Sequence, residues 1–290
     1  MAALYEQILL FGDSITQASA EQDGFGFAAP LQQAYARKLD VVNRGFNGYN
    51  TEEALKVLPR LMPAPEQAKV RLMASSPSLA PAPPLLTASQ TVFFGANDAC
   101  LEGSSSKQHV CLEQYMENLR TICTHPVVKA QAPRLIIITP PPVNEYKMEP
   151  VDIAKGHDGL QRTAEHTKKY ANAARKVGEE LRIPVLDLWT IFMTRAGWAA
   201  GEPLPGCRGV QRNELIEELM YDGKCGWKWL IQVAVLTGMH FPGLHLTSRA
   251  YKIVIEELMS LIASAYPDQV PEKLPLVLPA WNDWEEWKKL

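Results

Sequence analysis

Short apolar runs that stop abruptly at turns are the feature that most restricts the fold of this chain. Residues 8–11 form such a run before a Gly-Asp-Ser turn, and residues 91–94 form another before a Gly-Ala-Asn-Asp turn. Apolar runs without polar alternation predict strands that are buried on both faces, and stretches with helical periodicity lie between them. This alternation predicts one α/β domain over residues 1–290, a three-layer α/β/α sandwich with a central parallel sheet.

The same patterns place the individual elements. Strands are predicted at residues 8–11, 39–43, 91–94, 133–139 and 183–188. Helices are predicted at residues 27–38, from residue 51 onward, and at 111–129, 159–181 and 248–265. The C-terminal segment 266–290 is rich in Pro and Trp, and we expect it to wrap around the body and to pack Trp281, Trp284 and Trp287 on the surface.

Composition and charge argue against two classes of partner. The chain has 29 Lys and Arg against 32 Asp and Glu, a net charge of −3, which gives no basic footprint for nucleic acid. Its longest apolar stretch, residues 229–241, is shorter than the about 20 residues that cross a bilayer. We therefore expect neither a nucleic-acid partner nor a membrane span.

The N-terminal residues and the cysteines indicate a cellular compartment. Residues 1–7 lack the basic region of a signal peptide. The five cysteines are an odd number without zinc-type spacing, which fits a reducing compartment better than a disulfide framework. We therefore expect a cytoplasmic protein.

Candidate reactive and donor groups follow three of the predicted strands. Ser14 follows the first, Gly48 lies in the Gly- and Asn-rich turn after the second, and Asn97 follows the third. The carboxyl edge of an open α/β sheet is where such folds bind ligands. His245 stands just before the last predicted helix.

Acyl transfer by a serine needs a nucleophile, a base, an orienting acid and donors for the developing oxyanion. Ser14 can supply the nucleophile and His245 the base, while the N–H groups of Ser14 and Gly48 and the amide of Asn97 can be the donors. Each residue alone also has a structural explanation as a helix cap, a turn glycine, a loop cap or a surface histidine. Asp98 is expected to be a cap or network residue. The other five histidines lack ligand spacing, so we predict no metal, and the chemistry needs no cofactor.

Four blocks in this order resemble the SGNH (GDSL) hydrolase superfamily: Phe-Gly-Asp-Ser, Asn-Arg-Gly-Phe-Asn-Gly, Gly-Ala-Asn-Asp and Leu-His-Leu. The Phe-Phe-Gly-Ala-Asn-Asp-Ala-Cys block and the Pro-Ala-Trp near the C-terminus are similar to the isoamyl acetate-hydrolysing esterases of that superfamily. The resemblance implies a flavodoxin-like SGNH hydrolase fold and a serine esterase. Its Ser, Gly, Asn and His carry over as Ser14, Gly48, Asn97 and His245.

The chain departs from this family at the orienting acid. The family's last block is Asp-x-x-His, but Pro242 stands three residues before His245. Upstream lies Asp222, followed by Gly223, and removal of residues 224–243 would restore the family block. Asp222 is therefore the candidate orienting acid, provided that the intervening segment folds outward.

A second atypical segment, residues 74–90, stands directly before the third predicted strand, and its removal would join residues 72–73 to that strand. We hypothesise that both segments are short introns translated in frame, which predicts a weak or inactive full-length chain unless the second folds outward. The alternative is a pair of genuine loops, with Trp227, Trp229 and Leu230 forming a lid over an apolar acyl site.

The sequence thus predicts a carboxylic ester hydrolase that acts on small, acetate-type esters through a Ser-His-Asp triad. An acyltransferase or a carbohydrate deacetylase on the same site is the enzymatic alternative, since fold and triad do not define the acyl acceptor. An inactive product of unspliced introns is the alternative outside enzymes. The oligomeric state stays open.

Overall fold

The computed structural model describes residues 5–20, 26–68, 70, 89–222 and 242–290. Its strands are β1 (Glu6–Gly12), β2 (Leu39–Gly45), β3 (Ser89–Phe93), β4 (Arg134–Ile138) and β5 (Val185–Leu186). In the described residues they form one parallel sheet in the order β2-β1-β3-β4-β5. The predicted parallel sheet is confirmed. Because all strands run the same way, their carboxyl ends lie at one edge.

Helices connect the strands and cover both faces of the sheet. They are α1 (Ser14–Ala18), α2 (Ala28–Ala34), α3 (Thr51–Leu61), α4 (Leu112–Thr124), α5 (Pro126–Gln131), α6 (Glu145–Ala154), α7 (Ala164–Leu181), α8 (Leu188–Arg195), α9 (Glu214–Leu219), α10 (Ser248–Ala265) and α11 (Trp284–Trp287), with a 3₁₀ turn at Pro271–Lys273. None of the described helices is long and apolar enough to cross a membrane.

Alternate side chains of β1 enter two separate apolar clusters. Ile8 and Leu10 pack with α2, α8 and α10 on one face, and Leu9 and Phe11 pack with α3 and α4 on the other. All four side chains are at most 2% exposed, which explains why the run shows no polar alternation. The α/β/α sandwich expected from the sequence is therefore the observed architecture.

Two helix predictions are wrong in their extent. The predicted helix 111–129 is divided into α4 and α5 at His125, because Pro126 cannot continue the backbone hydrogen bonding of α4. The predicted helix 159–181 starts later, at α7, where the hydroxyl of Thr163 caps the helix by accepting from the N–H of His166 at 3.1 Å.

Two further boundaries differ from the predictions. The strand predicted at 183–188 is shorter in the structure, where β5 contains only Val185–Leu186. It ends there because Asp187 caps α8 and Leu188 already belongs to that helix. The helix predicted at 27–38 is also shorter in the structure. It corresponds to α2, which ends at Ala34, before Arg37 with its left-handed φ of 64°. The sequence patterns also gave no indication of α6, α8 and α9.

The C-terminal segment follows the body as predicted, but its tryptophans pack poorly. The hydroxyl of Tyr35 donates to the carbonyl of Gln269 at 2.8 Å, and the N–H of Val277 donates to the carbonyl of Arg37 at 2.9 Å. Trp281, Trp284 and Trp287, however, are 79%, 67% and 42% exposed, because they lie beyond these anchoring bonds.

The two atypical segments lie almost entirely outside the described residues, including Trp227, Trp229 and Leu230. Their flanks are described. Val70 forms a parallel bridge with Gln7 of β1, and Gln90 of β3 pairs with Leu9 on the same strand. The described residues Val70 and Gln90 thus pair with positions of β1 that are two residues apart.

Candidate active site

Ser14 lies where β1 meets α1, at the carboxyl edge of the sheet. Asp13 caps the helix by accepting from the N–H of Ile15 at 2.9 Å, so Ser14 is its first residue. The turn is tight because Gly12 has no side chain. A Cβ there would lie 2.0 Å from Oγ1 of Thr16 and 2.7 Å from the carbonyl oxygen of Phe93. The Ser14 side chain lines a cavity although the residue is only 4% exposed.

His245 reaches Ser14 from the loop before α10. Its Nε2 lies 2.8 Å from Oγ of Ser14, and the residue is 2% exposed. The loop is held by an antiparallel bridge between Met220 and Leu246 and by the N–H of Tyr221, which donates to the carbonyl of His245 at 2.8 Å. An imidazole in this position can take the hydroxyl proton and activate the oxygen as a nucleophile.

Asn97 and Gly48 lie beside this pair. The Nδ2 of Asn97 donates to the carbonyl of Tyr49 at 2.8 Å, which ties the turn after β3 to the turn after β2. Gly48 has φ +80°, a left-handed conformation that favours glycine. Both residues line the same cavity as Ser14 and His245, so the structure brings these four predicted residues together.

Asp222, the fifth predicted residue, directly follows the strand-like pairing that holds His245. The N–H of Gly243 donates to the carbonyl of Tyr221 at 2.8 Å, and Gly243 adopts a left-handed φ of +77°. Gly243, which precedes His245 by two residues, therefore lies against Tyr221, the residue directly before Asp222.

Asp98 is a buried network residue, as expected. Its Oδ1 accepts from the N–H of Thr51 at 3.0 Å and from the Thr51 hydroxyl at 2.5 Å. Burial raises the pKa of Asp98 to about 7. Burial also raises the pKa of Asp13 to about 7, and the nearby Asp98 carboxyl adds to this shift.

Two residues of the site had no recognisable signal in the sequence. Arg162, 3% exposed, donates from Nη2 to Oδ1 of Asn97 at 3.0 Å and to Oε1 of Gln108 at 2.8 Å. Gln108 in turn donates from Nε2 to the carbonyl of Gly48 at 2.8 Å. These bonds join segments that are far apart in sequence, so no local motif could have indicated them.

The cavity in front of Ser14 has a volume of about 210 Å³, and most of the residues that line it carry polar side chains. Besides the four predicted residues it is lined by Asn47, Ser106, Gln108, Asp152, Lys155, His157, Gln161, Arg162 and Leu244. Leu244 is the single apolar side chain among these described lining residues. No group of three or more His, Cys, Asp or Glu side chains suited to a metal ion occurs in the described part of the chain.

Comparison with known sequences gives matches over nearly the whole chain. The GDSL-like Lipase/Acylhydrolase family matches residues 10–253. The isoamyl acetate-hydrolyzing esterase 1 homolog of Homo sapiens is 32% identical over 288 residues, covering 99% of this chain and 91% of that protein. The isoamyl acetate-hydrolyzing esterase of Saccharomyces cerevisiae is 29% identical over 286 residues, covering 96% and 95%. A GDSL esterase/lipase of Arabidopsis thaliana is 41% identical over 194 residues, covering 66% and 74%.

Comparison with solved structures supports the fold. A lipase/acylhydrolase from Enterococcus faecalis matches with a TM-score of 0.53 and 20% identity, covering 93% of this chain and 98% of that one. The acetylxylan esterase Axe2 from Geobacillus stearothermophilus matches with a TM-score of 0.52 and 16% identity, covering 89% and 94%. At these identities the similarity is one of architecture.

Proposed function

Because the chain belongs to the GDSL-like lipase/acylhydrolase family and is a carboxylic ester hydrolase, we propose that Ser14 is its nucleophile and His245 its general base. The observation that carries this proposal is the 2.8 Å distance between Oγ of Ser14 and Nε2 of His245. A serine is a weak nucleophile until a neighbouring base takes its proton. The imidazole of His245 is within hydrogen-bond reach of that proton.

The reaction proceeds in two halves. Oγ of Ser14 attacks the acyl carbon while Nε2 of His245 accepts the hydroxyl proton, and the imidazolium then protonates the departing alcohol. An acyl ester remains on Ser14. Water attacks that ester as His245 takes its proton. The second tetrahedral intermediate then collapses to the carboxylic acid, while the imidazolium returns the proton to the departing Oγ of Ser14.

Three donors would stabilise the oxyanion: the N–H groups of Ser14 and Gly48 and the side-chain amide of Asn97. In support, neither backbone N–H donates to another group among the described residues, and the Asn97 amide uses one N–H bond on Tyr49. Loss of one such donor lowers kcat by about 10²–10³-fold in serine hydrolases.

Asp222 is the proposed orienting acid. Its position at the end of the pairing between Tyr221 and Gly243 supports this role, because that pairing places it beside the loop of His245. An orienting carboxylate selects the imidazole tautomer and stabilises the imidazolium, and its loss costs about 10⁴ in rate in the serine-protease case.

We propose small, acetate-type esters as substrates. Two relatives are named as isoamyl acetate-hydrolyzing esterases, and a cavity of about 210 Å³ suits a short acyl group. The polar side chains among the lining residues favour a second candidate, deacetylation of a hydroxylated alcohol such as a carbohydrate, because such side chains can bind its hydroxyl groups.

A serine-reactive fluorophosphonate tests the nucleophile. We expect labelling at Ser14, located by peptide mass spectrometry, no labelling of Ser14→Ala, and labelling at least about 100-fold slower in His245→Ala. Ser264→Ala, which removes an exposed hydroxyl of α10, is the matched control and should label normally. Labelling at another serine, or none, would reject the proposal.

The substrate class is tested by kcat/KM for acetate, butyrate and hexanoate esters of p-nitrophenol, and then for isoamyl acetate against an acetylated xylo-oligosaccharide. A preference for acetate supports the small-acyl proposal, and a preference for hexanoate contradicts it. A higher kcat/KM on the acetylated sugar than on isoamyl acetate supports the second candidate.

The cytoplasmic location stays part of this proposal. It is supported by Cys100, Cys111, Cys123 and Cys207, which are unpaired thiols in the described chain.

A further inference from the structure

A buried guanidinium connects two parts of the proposed oxyanion site. Arg162 directly precedes Thr163, the cap of α7, and is 3% exposed. Its Nε donates to the carbonyl of Ala96 at 2.7 Å, and its Nη2 donates to both Asn97 and Gln108. Because the guanidinium is planar and its donors have fixed directions, these bonds define the position of both side-chain amides.

The first amide is that of Asn97. Since Oδ1 of Asn97 accepts from Arg162, a flipped amide would turn its own N–H groups towards the cation. The bond therefore keeps Nδ2 on the side of Tyr49 and the cavity. A bond from a cation also polarises the amide, so its N–H becomes a stronger donor to a negative oxygen.

The second amide is that of Gln108. Its Oε1 accepts from Arg162, so its Nε2 must face the opposite way, where it donates to the carbonyl of Gly48 at 2.8 Å. The side chain of Asn50, the cap of α3, donates to the Gln108 carbonyl at 3.0 Å and holds the same turn. The guanidinium thus reaches the Gly48 turn through one intermediate side chain.

We propose that Arg162 is a positioning residue for ester hydrolysis. It orients and polarises the Asn97 amide directly and fixes the Gly48 turn through Gln108, so that both groups are set in advance for the oxyanion. The inference rests on the proposed function of Ser14.

The test is a double-mutant cycle on p-nitrophenyl acetate, using Arg162→Met, Asn97→Ala and the double variant. Arg162→Met is expected to lower kcat about 10- to 100-fold while KM changes by less than about threefold, because transition-state binding is lost. Arg162→Lys should fall between Arg162→Met and the wild type, since it keeps the charge but not the planar fork.

In the Asn97→Ala background, Arg162→Met should lower kcat much less than in the wild type, because the two residues act on one interaction. Arg134→Met is the matched control. Arg134 is also buried, at 8% exposure, but pairs with Asp268 at 2.8 Å, so its loss should lower Tm without changing kcat.

A folded Arg162→Met variant with wild-type kcat, or one whose full loss persists in the Asn97→Ala background, would overturn the inference. Where Arg162→Met does not fold, Gln108→Leu decides: kcat about tenfold lower supports the inference, and unchanged kcat overturns it. If Ser14→Ala hydrolyses the ester as fast as the wild type, the proposed function fails, independently of the result at Arg162.

Discussion

The N–H of Gly243 donates a 2.8 Å hydrogen bond to the carbonyl of Tyr221, so two described residues close to either end of the second atypical segment lie side by side. This bond continues the antiparallel pairing that begins at Met220 and Leu246. The described residues that flank the segment are therefore held together by the body of the protein. Deletion of 224–243 would replace this hydrogen bond by a covalent link through Gly223, so we expect Asp222 and His245 to keep their positions in the shortened protein.

Gln90 is the residue at which the first atypical segment meets the core. It is fully buried in β3, and neither its Nε2 nor its Oε1 has a hydrogen-bond partner in the described part of the chain. A buried amide without partners costs about 1–3 kcal/mol. We predict that Gln90→Met raises the free energy of unfolding by about that amount, measured by thermal and urea denaturation. Removal of 74–90 would also place a methionine, Met73, before Thr91.

The matched control for this prediction is Gln131→Met. Gln131 is also buried, but its amide accepts from the N–H of Val70 at 3.0 Å and donates to the carbonyls of Pro63 and Ala68. This variant should be less stable than the wild type. A Gln90→Met protein that is no more stable than the wild type would contradict the role assigned to Gln90.

Asp98 predicts a pH dependence of stability. Because burial raises its pKa from 3.8 to about 7, the folded state binds a proton that the unfolded state releases between these values. The Asp98 contribution to stability is therefore present at low pH and lost as pH rises from about 4 to about 7. Asp98→Asn, which keeps an oxygen acceptor for Thr51, should gain in Tm relative to the wild type over this range.

The measurement is Tm of both proteins at pH 4, 5.5 and 7. The difference between variant and wild type is informative because carboxylates with lowered pKa, such as Asp268, affect both proteins equally. A difference that does not change with pH would show that Asp98 does not titrate in this range.

Gly12 predicts a steric effect on the nucleophile turn. Since a Cβ at Gly12 would overlap Thr16 and the backbone of Phe93, Gly12→Ala must displace the start of α1 and with it Ser14. We expect a lower Tm and kcat on p-nitrophenyl acetate lower by about tenfold or more, because small misplacements of reacting groups are costly. At Gly159, by contrast, a Cβ would meet no atom within 4 Å, so Gly159→Ala should change neither quantity. Equal behaviour of the two variants would refute the packing explanation.

The sequence predicted those parts of the fold and site that follow from local patterns. The buried run at 8–11 and its Gly-Asp-Ser turn predicted β1 and the place of Ser14, and the helix predicted at 248–265 placed His245 just before α10. The parallel orientation of the strands was predicted from the alternation of strands and helices along the chain. The helical pattern over 111–129 did not predict the division at His125, although Pro126, the residue that prevents α4 from continuing, is visible in the sequence.

The remaining features depend on contacts between distant segments. Arg162 is recognisable only from its bonds to Ala96, Asn97 and Gln108, none of which is near it in sequence. The return of the chain at Gly243 to Tyr221 likewise spans a long segment. Periodicity describes which face of an element is buried, but it does not report which buried polar groups meet.

The most direct test is p-nitrophenyl acetate hydrolysis by the full chain and by a protein lacking 74–90 and 224–243, each with its Ser14→Ala variant. We predict that the shortened protein hydrolyses the ester, that Ser14→Ala lowers kcat/KM by about 10³-fold or more, and that the full chain is less active than the shortened one. Equal Ser14-dependent activity of both lengths would make the segments tolerated loops, and a transcript that contains both segments would reject the intron hypothesis. Hydrolysis that survives Ser14→Ala in the shortened protein would contradict the central claim that Ser14 is the nucleophile.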